Sequence, residues 1–364
     1  MEYLVTGATG FIGRFVVEEL LKQPESVVHA LVRKGSEDKL ERIRLALGVN
    51  DQQLRAVIGD LTQPVLGISA EDQAQLKGKI SHLYHLGAIY DLGADAEAQK
   101  KANVEGTRHA LQAAAALDAG CFEHVSSIAV AGSYDGQFTE AMFEEGTGFN
   151  NTYFLTKHLA EKCVREEARV PFRIYRPSVV VGHSQTGEMD KIDGPYFIIR
   201  LMEEMDRWIP EWLPLPGVEC GKINIVPVDF VAQAIVHIAH QPDLNGQVFN
   251  ITDNKYYSVA DLFDLISDVS GLPTFRWKFS NRLTQKTTHF IVPKLSRFWP
   301  MRKVMESMDI APAALNYVVY NTTFDSSNAT RALQGSGITP PDLEHYMPQL
   351  WQYWRDSLSP TNNP

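Results

Sequence analysis

Three groups of residues have the types and spacing to do chemistry. Thr6-Gly7-Ala8-Thr9-Gly10-Phe11-Ile12-Gly13 follows a short apolar strand and opens a helix with one apolar side. Glycines there permit a tight turn, let backbone approach a pyrophosphate and let the helix pack on the strand. The helix N-terminus adds free N–H groups and partial positive charge. Gly7, Thr9, Gly10, Phe11, Ile12 and Gly13 are therefore candidate phosphate-facing residues, in G-x-x-G-x-x-G rather than G-x-G-x-x-G spacing. At the end of the second strand, where an acid would hold a ribose 2′-hydroxyl, stand Arg33 and Lys34. A guanidinium suits a 2′-phosphate in charge and geometry, which points to NADP(H). Asp60-Leu61 closes the third strand, and Asp60 reads equally as an adenine contact or a strand-end cap. Finally, Tyr153 and Lys157 are four apart on one helix face. An ammonium beside a phenol favours the phenolate, making the tyrosine a proton donor or acceptor near neutral pH. Val125-Ser126-Ser127 ends the preceding strand, where a hydroxyl can reach the same carbonyl oxygen.

Positioning these groups requires a doubly wound sheet. Tyr3–Thr6, Val27–Val32, Arg55–Ile58, Ile80–Leu86, Phe122–Ser126, Phe172–Tyr175, Ile223–Val228 and Val248–Thr252 read as strands. Between them fall helical patterns at Phe11–Leu21, Ala94–Leu117, Tyr153–Ala168 and Phe230–Ala239. Strand–helix alternation with apolar strands predicts an α/β fold, a Rossmann-like parallel sheet covered on both faces. After Gly182 the rhythm breaks; a helix near Tyr196–Met205 and another over Val259–Val269, capped by Ser258, belong to a smaller, mainly helical lobe. The expected division is 1–182 plus 223–253 for the cofactor domain and 183–222 plus 254–364 for a substrate-binding lobe.

Composition narrows the function. The chain has 364 residues with 34 Lys+Arg against 44 Asp+Glu, a net charge of −10, which speaks against non-specific nucleic-acid binding. The apolar content of 44% excludes intrinsic disorder. Cys121, Cys163 and Cys220 show neither CxxC nor zinc spacing, so no metal site and a reducing, cytoplasmic setting are expected. There is no signal-peptide pattern and no apolar run near the roughly 18 residues of a membrane span. From 269 to 305 acids are missing, while eight cations interleave with Phe and Trp. That stretch reads as a site for CoA phosphates, a peripheral contact with an anionic membrane, or a solvated face.

The glycine turn, Ser126-Ser127, Tyr153-x-x-x-Lys157 and Arg176-Pro177-Ser178 together resemble the extended short-chain dehydrogenases/reductases. The resemblance implies that Ser127 hydrogen-bonds a substrate carbonyl, Tyr153 is the general acid/base, and Lys157 also holds the nicotinamide ribose. It places Leu86, Gly87 and Ala88 along the adenine ribose, Pro177 and Ser178 under the carboxamide, and Asn103 in a structural role. His85–Asp91, His124–Ala129, Phe172–Pro177, Gly182–Asp190 with Asp193–Tyr196, and Asn224–Asp229 resemble the reductase domain of bacterial fatty acyl-CoA reductases, the thioester reductase branch. Those enzymes often carry a second reductase domain; with the sequence ending at Pro364, a stand-alone enzyme and a piece of a longer one both stay open.

The implied reaction is NADPH-dependent reduction of a fatty acyl thioester, on CoA or an acyl carrier protein, to the aldehyde, with a second round giving the fatty alcohol of lipid metabolism. Trp208, Trp212, Leu213, Phe290, Ile291, Phe298, Trp299 and Met301 are candidates for lining an acyl trough. The alternative within the same fold is a hydroxysteroid or sugar-nucleotide dehydrogenase/epimerase. Chain length preference and oligomeric state are not encoded legibly.

Overall fold

The computed structural model describes residues 1–88, 95–149, 151–190, 196–208, 215–218, 221–272, 275–279 and 321–359, with backbone alone over 204–208, 215–218 and 275–279. The strands are β1 (Glu2–Thr6), β2 (Val27–Val32), β3 (Leu54–Ile58), β4 (Ile80–His85), β5 (Cys121–Val125), β6 (Gln137–Phe138), β7 (Phe172–Pro177), β8 (Val179–Val181), β9 (Leu215–Val218), β10 (Ile225–Pro227), β11 (Val248–Ile251), β12 (Phe275–Phe279) and β13 (Thr323–Phe324). Seven of them form one sheet in the order β11-β7-β5-β4-β1-β2-β3, every pair parallel. The order reverses between β1 and β4. A crevice opens there at the carboxyl ends of the strands, the usual place for a dinucleotide.

Alternation along the strands explains the layers. Tyr3 and Val5 belong to one apolar core with α1 (Phe11–Leu21) and α8 (Val228–Ala239), while Leu4 belongs to the other. On that second face, Leu83, Phe122 and Ile174 pack with Ala110, Leu111 and Ala114 of α5 (Gly106–Ala116) and with Cys163 and Val164 of α6 (Thr152–Glu167). Helices on both faces keep the inner strands from water, as their near-continuous apolar runs require. A third core joins Val181, Tyr196, Ile225, Leu262, Tyr346, Leu350 and Trp354, and is built mainly from the later helices. Ser258 starts one of these, α9 (Val259–Ser270), through a reciprocal capping box with Asp261.

Two sequence expectations change. The helix expected over Ala94–Leu117 is interrupted by a π-turn at Lys101–Glu105, between α4 (Ala96–Lys100) and α5. Ile223–Val228 is not a strand of the main sheet: only Ile225–Pro227 is extended, paired with β8 in a two-stranded sheet. Asn224 directs the chain there, its amide donating to Asp253 O at 2.7 Å and Lys255 O at 2.9 Å. Both are local choices between hydrogen-bond partners that apolar periodicity does not record.

Candidate active site

The glycine turn is shaped by contacts that exclude side chains. Gly7 has φ +72°, and a Cβ on it would lie 2.8 Å from Gly87 N. A Cβ on Gly13 would lie 1.9 Å from Gly7 O, so only glycine lets α1 start against the strand. Gly10 N–H closes the turn on Gly7 O at 2.9 Å. No side chain caps the helix, which leaves its first N–H groups facing the crevice.

A hydrogen-bond chain runs behind this turn. Gly87 N–H donates to Thr6 Oγ1 (3.1 Å), and Thr6 Oγ1 meets His85 Nδ1 (2.8 Å). His85 Nε2 meets Thr107 Oγ1 (3.1 Å), whose hydroxyl donates to Asn103 O (2.6 Å). The Thr107 proton is thus committed, so His85 carries hydrogen on Nε2 and accepts the Thr6 hydroxyl at Nδ1. Asn103 Nδ2 donates to Thr156 Oγ1 (3.1 Å), which donates to Tyr153 O (3.0 Å). Burial, with Lys157 nearby, pushes the His85 imidazole down to about 3, so it is neutral. Asn103 thus links this chain to α6.

One cavity of about 440 Å³ collects most of the sequence candidates. Gly7, Thr9, Gly10, Phe11, Ile12, Gly13, Ala88, Ser127, Tyr153, Lys157, Pro177 and Ser178 all line it. Lys157 is buried, with Nζ donating to Val125 O at 2.9 Å; burial lowers its ammonium to about 8 against the opposing pull of Glu161. Ser127 caps the short helix Ile128–Ala131, its Oγ accepting from Ala129 N–H at 3.2 Å, and keeps its hydroxyl at the wall. Ser126 also lines the cavity, but its hydroxyl is committed to Glu161 Oε2 at 2.7 Å. Ser178 Oγ is buried and, among the described residues, has no partner, which fits a hydroxyl placed to meet a carboxamide.

The other candidates stand off the wall. Gly87 lies behind the turn, where a Cβ would meet Leu61 Cδ1 at 2.7 Å. Arg33 and Lys34 are exposed beyond the carboxyl end of β2, and Asp60 and Leu61 follow β3. Asp60 Oδ1 accepts from Thr62 N–H at 2.8 Å, a capping role; this bond and then the charges of Arg33 and Lys101 hold its carboxyl below the usual range. The proposed trough residues Trp208, Trp212, Leu213, Phe290, Ile291, Phe298, Trp299 and Met301 have side chains outside the described residues, as does nearly all of 269–305. The structure adds wall residues that the sequence reading missed: Val179, Val180, Met189, Asp190, Lys222, Ile223, Asn224, Thr322 and Phe324. They come from four separate segments, and although Gly182–Asp190 and Asn224–Asp229 carried the family resemblance, no spacing marked them as one wall. Arg14 ties α1 to this wall by pairing with Glu188 and with Asp190 (3.0 Å).

Residues 5–235 match the family model described as male sterility protein, an NAD-binding family. The chain belongs to this family, the thioester-reductase branch of the extended short-chain dehydrogenases/reductases. A linear gramicidin synthase of Brevibacillus parabrevis is 31% identical over 271 residues, which is 70% of this chain and 5% of that protein. The terminal R domain of the myxalamid PKS-NRPS pathway matches with TM-score 0.80 and 24% identity over 99% of this chain and 92% of that one. A thiolation-reductase di-domain from an archaeal non-ribosomal peptide synthetase matches with TM-score 0.74 and 19% identity, over 97% and 75% of the two chains. The chain spans only 5% to 35% of the first four curated relatives' length. Family membership makes this an NAD(P)-binding oxidoreductase of the thioester-reductase type. Among the described residues no helix is long and apolar enough to cross a membrane.

Proposed function

We propose that the chain reduces an apolar acyl thioester, carried on CoA or on a carrier protein's phosphopantetheine, to the aldehyde with NADPH. The observation that carries this is the single cavity onto which Ser127, Tyr153, Lys157 and the helix N-terminus of the glycine turn all open. Val179, Val180, Ile223 and Phe324 give the wall an apolar stretch beside the polar Asp190, Lys222, Asn224 and Thr322, and that stretch suits a fatty acyl chain. The R-domain neighbours, one of them a thiolation-reductase di-domain, favour a carrier-bound thioester, and CoA offers the same pantetheine thioester.

The residues present fit the cofactor: a turn that only glycine fills, free helix N–H groups, and the unpartnered Ser178 hydroxyl. Gly7 to Gly13 would hold the pyrophosphate, Pro177 and Ser178 the carboxamide, Ala88 the adenine-side ribose, and Arg33 with Lys34 the 2′-phosphate. When bound, the nicotinamide supplies the hydride. Ser127 and Tyr153 donate hydrogen bonds to the carbonyl oxygen as negative charge builds on it. Tyr153 passes its proton to that oxygen, and the Lys157 ammonium stabilises the phenolate left behind. The hemithioacetal then collapses: its hydroxyl proton returns to the Tyr153 phenolate, the carbonyl reforms and the thiolate leaves. An aldehyde product is itself a carbonyl, so the same residues serve a second round to alcohol. The smaller substrate-binding lobe would be 183–222 with 254–364.

NADPH oxidation by the purified chain, with long-chain acyl-CoA and with acyl-loaded carrier protein, tests the reading, with products extracted and identified. Thioester-dependent oxidation that is lost in Tyr153→Phe is the expected result. Turnover of free aldehydes or hydroxysteroids with no turnover of any acyl thioester overturns it. Replacing Arg33 and Lys34 by Ala should weaken NADPH binding about tenfold or more and leave NADH binding unchanged.

A further inference from the structure

Glu161 lies one helical turn beyond Lys157 and two beyond Tyr153, on the same face of α6. Its side chain is fully buried, yet it is charged and fully engaged. Oε2 accepts from Ser126 Oγ (2.7 Å) and Arg176 Nε (3.1 Å). Oε1 accepts from Arg176 Nη2 (2.6 Å) and from Arg165 Nε and Nη2 (3.0 and 2.8 Å). Two of the three donor residues stand at the wall: Ser126 is on it and Arg176 adjoins it. Ser126 stands between Val125, whose carbonyl takes Lys157 Nζ, and Ser127; Arg176 immediately precedes Pro177 and Ser178. One carboxylate therefore fastens α6 to the carboxyl ends of β5 and β7, the three places that present Lys157, Ser127 and Ser178.

We propose that Glu161 is a positioning residue for Lys157, fixing the three elements that frame the cavity and supplying the negative charge that keeps the ammonium protonated. This rests on the reading of Lys157 as part of the reductase site. The charge balance around Lys157 is short. On α6 are Tyr153, Glu161 and Arg165; from β7 comes Arg176, held against Glu161; from β4 and β5 come His85 and His124. Burial lowers both imidazoles far below their usual value, so they bring no charge. Glu161 is thus the one buried anion among them, and the two guanidiniums it holds would otherwise repel the ammonium.

Reduction requires the protonated Tyr153–Lys157 pair, so activity falls on the alkaline side as the pair deprotonates. The test is the pH profile of kcat/KM with NADPH and an acyl thioester, alongside the pH dependence of NADPH binding read by nicotinamide fluorescence. Glu161→Gln leaves two guanidiniums uncompensated and should move the alkaline limb down by about one pH unit or more. Arg165→Gln, at a partly exposed position, should move it up. Glu167→Gln, on the same helix but paired with Arg108, should leave it in place. A folded Glu161→Gln with an unmoved limb, or a limb moved the same way by Glu161→Gln and Arg165→Gln, overturns the proposal and marks a purely structural ion pair. If Glu161→Gln does not fold, Arg165→Gln decides alone. Wild-type chain that binds NADPH with the expected limb shifts, yet turns over no thioester, would overturn the function and leave this inference standing.

Discussion

The two faces of the sheet each hold a buried glutamate against an arginine of β7. Glu123 of β5 faces α8, where it meets His82 Nδ1 (2.8 Å), the Tyr175 hydroxyl (2.8 Å) and, more distantly, Arg173 (3.7 Å). Glu161 faces the other way and holds Arg176, Arg165 and Ser126 within hydrogen-bond reach. The arginines differ more than the acids. Arg173 spends its donors on the last carbonyls of α8, bonding Ile238 O (3.0 Å), Ala239 O and Gln241 O (2.8 Å). It is a helix cap that balances an acid in passing. Arg176 is committed to Glu161, whose carboxyl is held near 2 by the two guanidiniums against the cost of burial. The same ingredients thus make a structural tie on one face and a charge frame for the cavity on the other. What separates them is distance from Lys157, not burial.

The largest expected effect tests whether the cavity face is the working one. Tyr153→Phe should cut turnover by about 10²- to 10⁴-fold while leaving the denaturation midpoint nearly unchanged. A loss of both together would mean that Tyr153 is packing, and the contrast between the faces would collapse. Next, breaking the Glu161 pair should cost more stability than breaking the Glu123 cluster. Glu161→Gln strands a buried Arg176 and should cost about 3–5 kcal/mol, against about 1–3 kcal/mol for Glu123→Gln. Urea unfolding of both variants checks the order; the reverse order would make Glu123 the main tie. Per folded molecule, Glu123→Gln should keep wild-type turnover.

The smallest effect is acid lability. His85 and His124 lie on the Glu161 face with folded pKa values below the ordinary 6.5, to about 3 for His85. The unfolded chain therefore takes up protons first, and stability falls as pH drops below about 6.5, by up to about 1.4 kcal/mol per pH unit for each imidazole. Glu161 adds to the loss below about 4.5, its unfolded value, down to about 2. Neither nitrogen of His124 has a partner among the described residues. His124→Phe, stacked beside Phe122, should flatten the slope of unfolding free energy between pH 7 and 5. An unchanged slope would place the acid sensitivity elsewhere.

Much of this was legible in the chain. Short apolar runs alternating with helical patterns marked the strands buried on both faces, and the glycine turn and Tyr153–Lys157 took their meaning from spacing together with their places, one between a strand and a helix, the other after Ser126-Ser127. The wall from Asp190 to Phe324 was not legible, because Lys222, Asn224 and Thr322 are ordinary residues made neighbours by tertiary structure. The close approach of Gly87 to Gly7 was not legible for a related reason: it is a packing fact, visible only once β1 and β4 are adjacent. The π-turn at Lys101 was hidden because Ala-rich periodicity continues straight through it. Glu161 could have been found, since an acid four residues after Lys157 repeats the Tyr153–Lys157 interval.

The hydrogen-bond chain from Gly87 through Thr6, His85, Thr107, Asn103 and Thr156 to Tyr153 has a kinetic meaning. Every link is a group that both gives and receives, so the turn cannot loosen without unseating the helix two strands away. In native-state hydrogen exchange the amides of Gly87, Thr107 and the first turns of α6 should open as one cooperative unit with one free energy, rather than fraying separately as cavity-lining segments commonly do. Thr107→Val would split that unit in two.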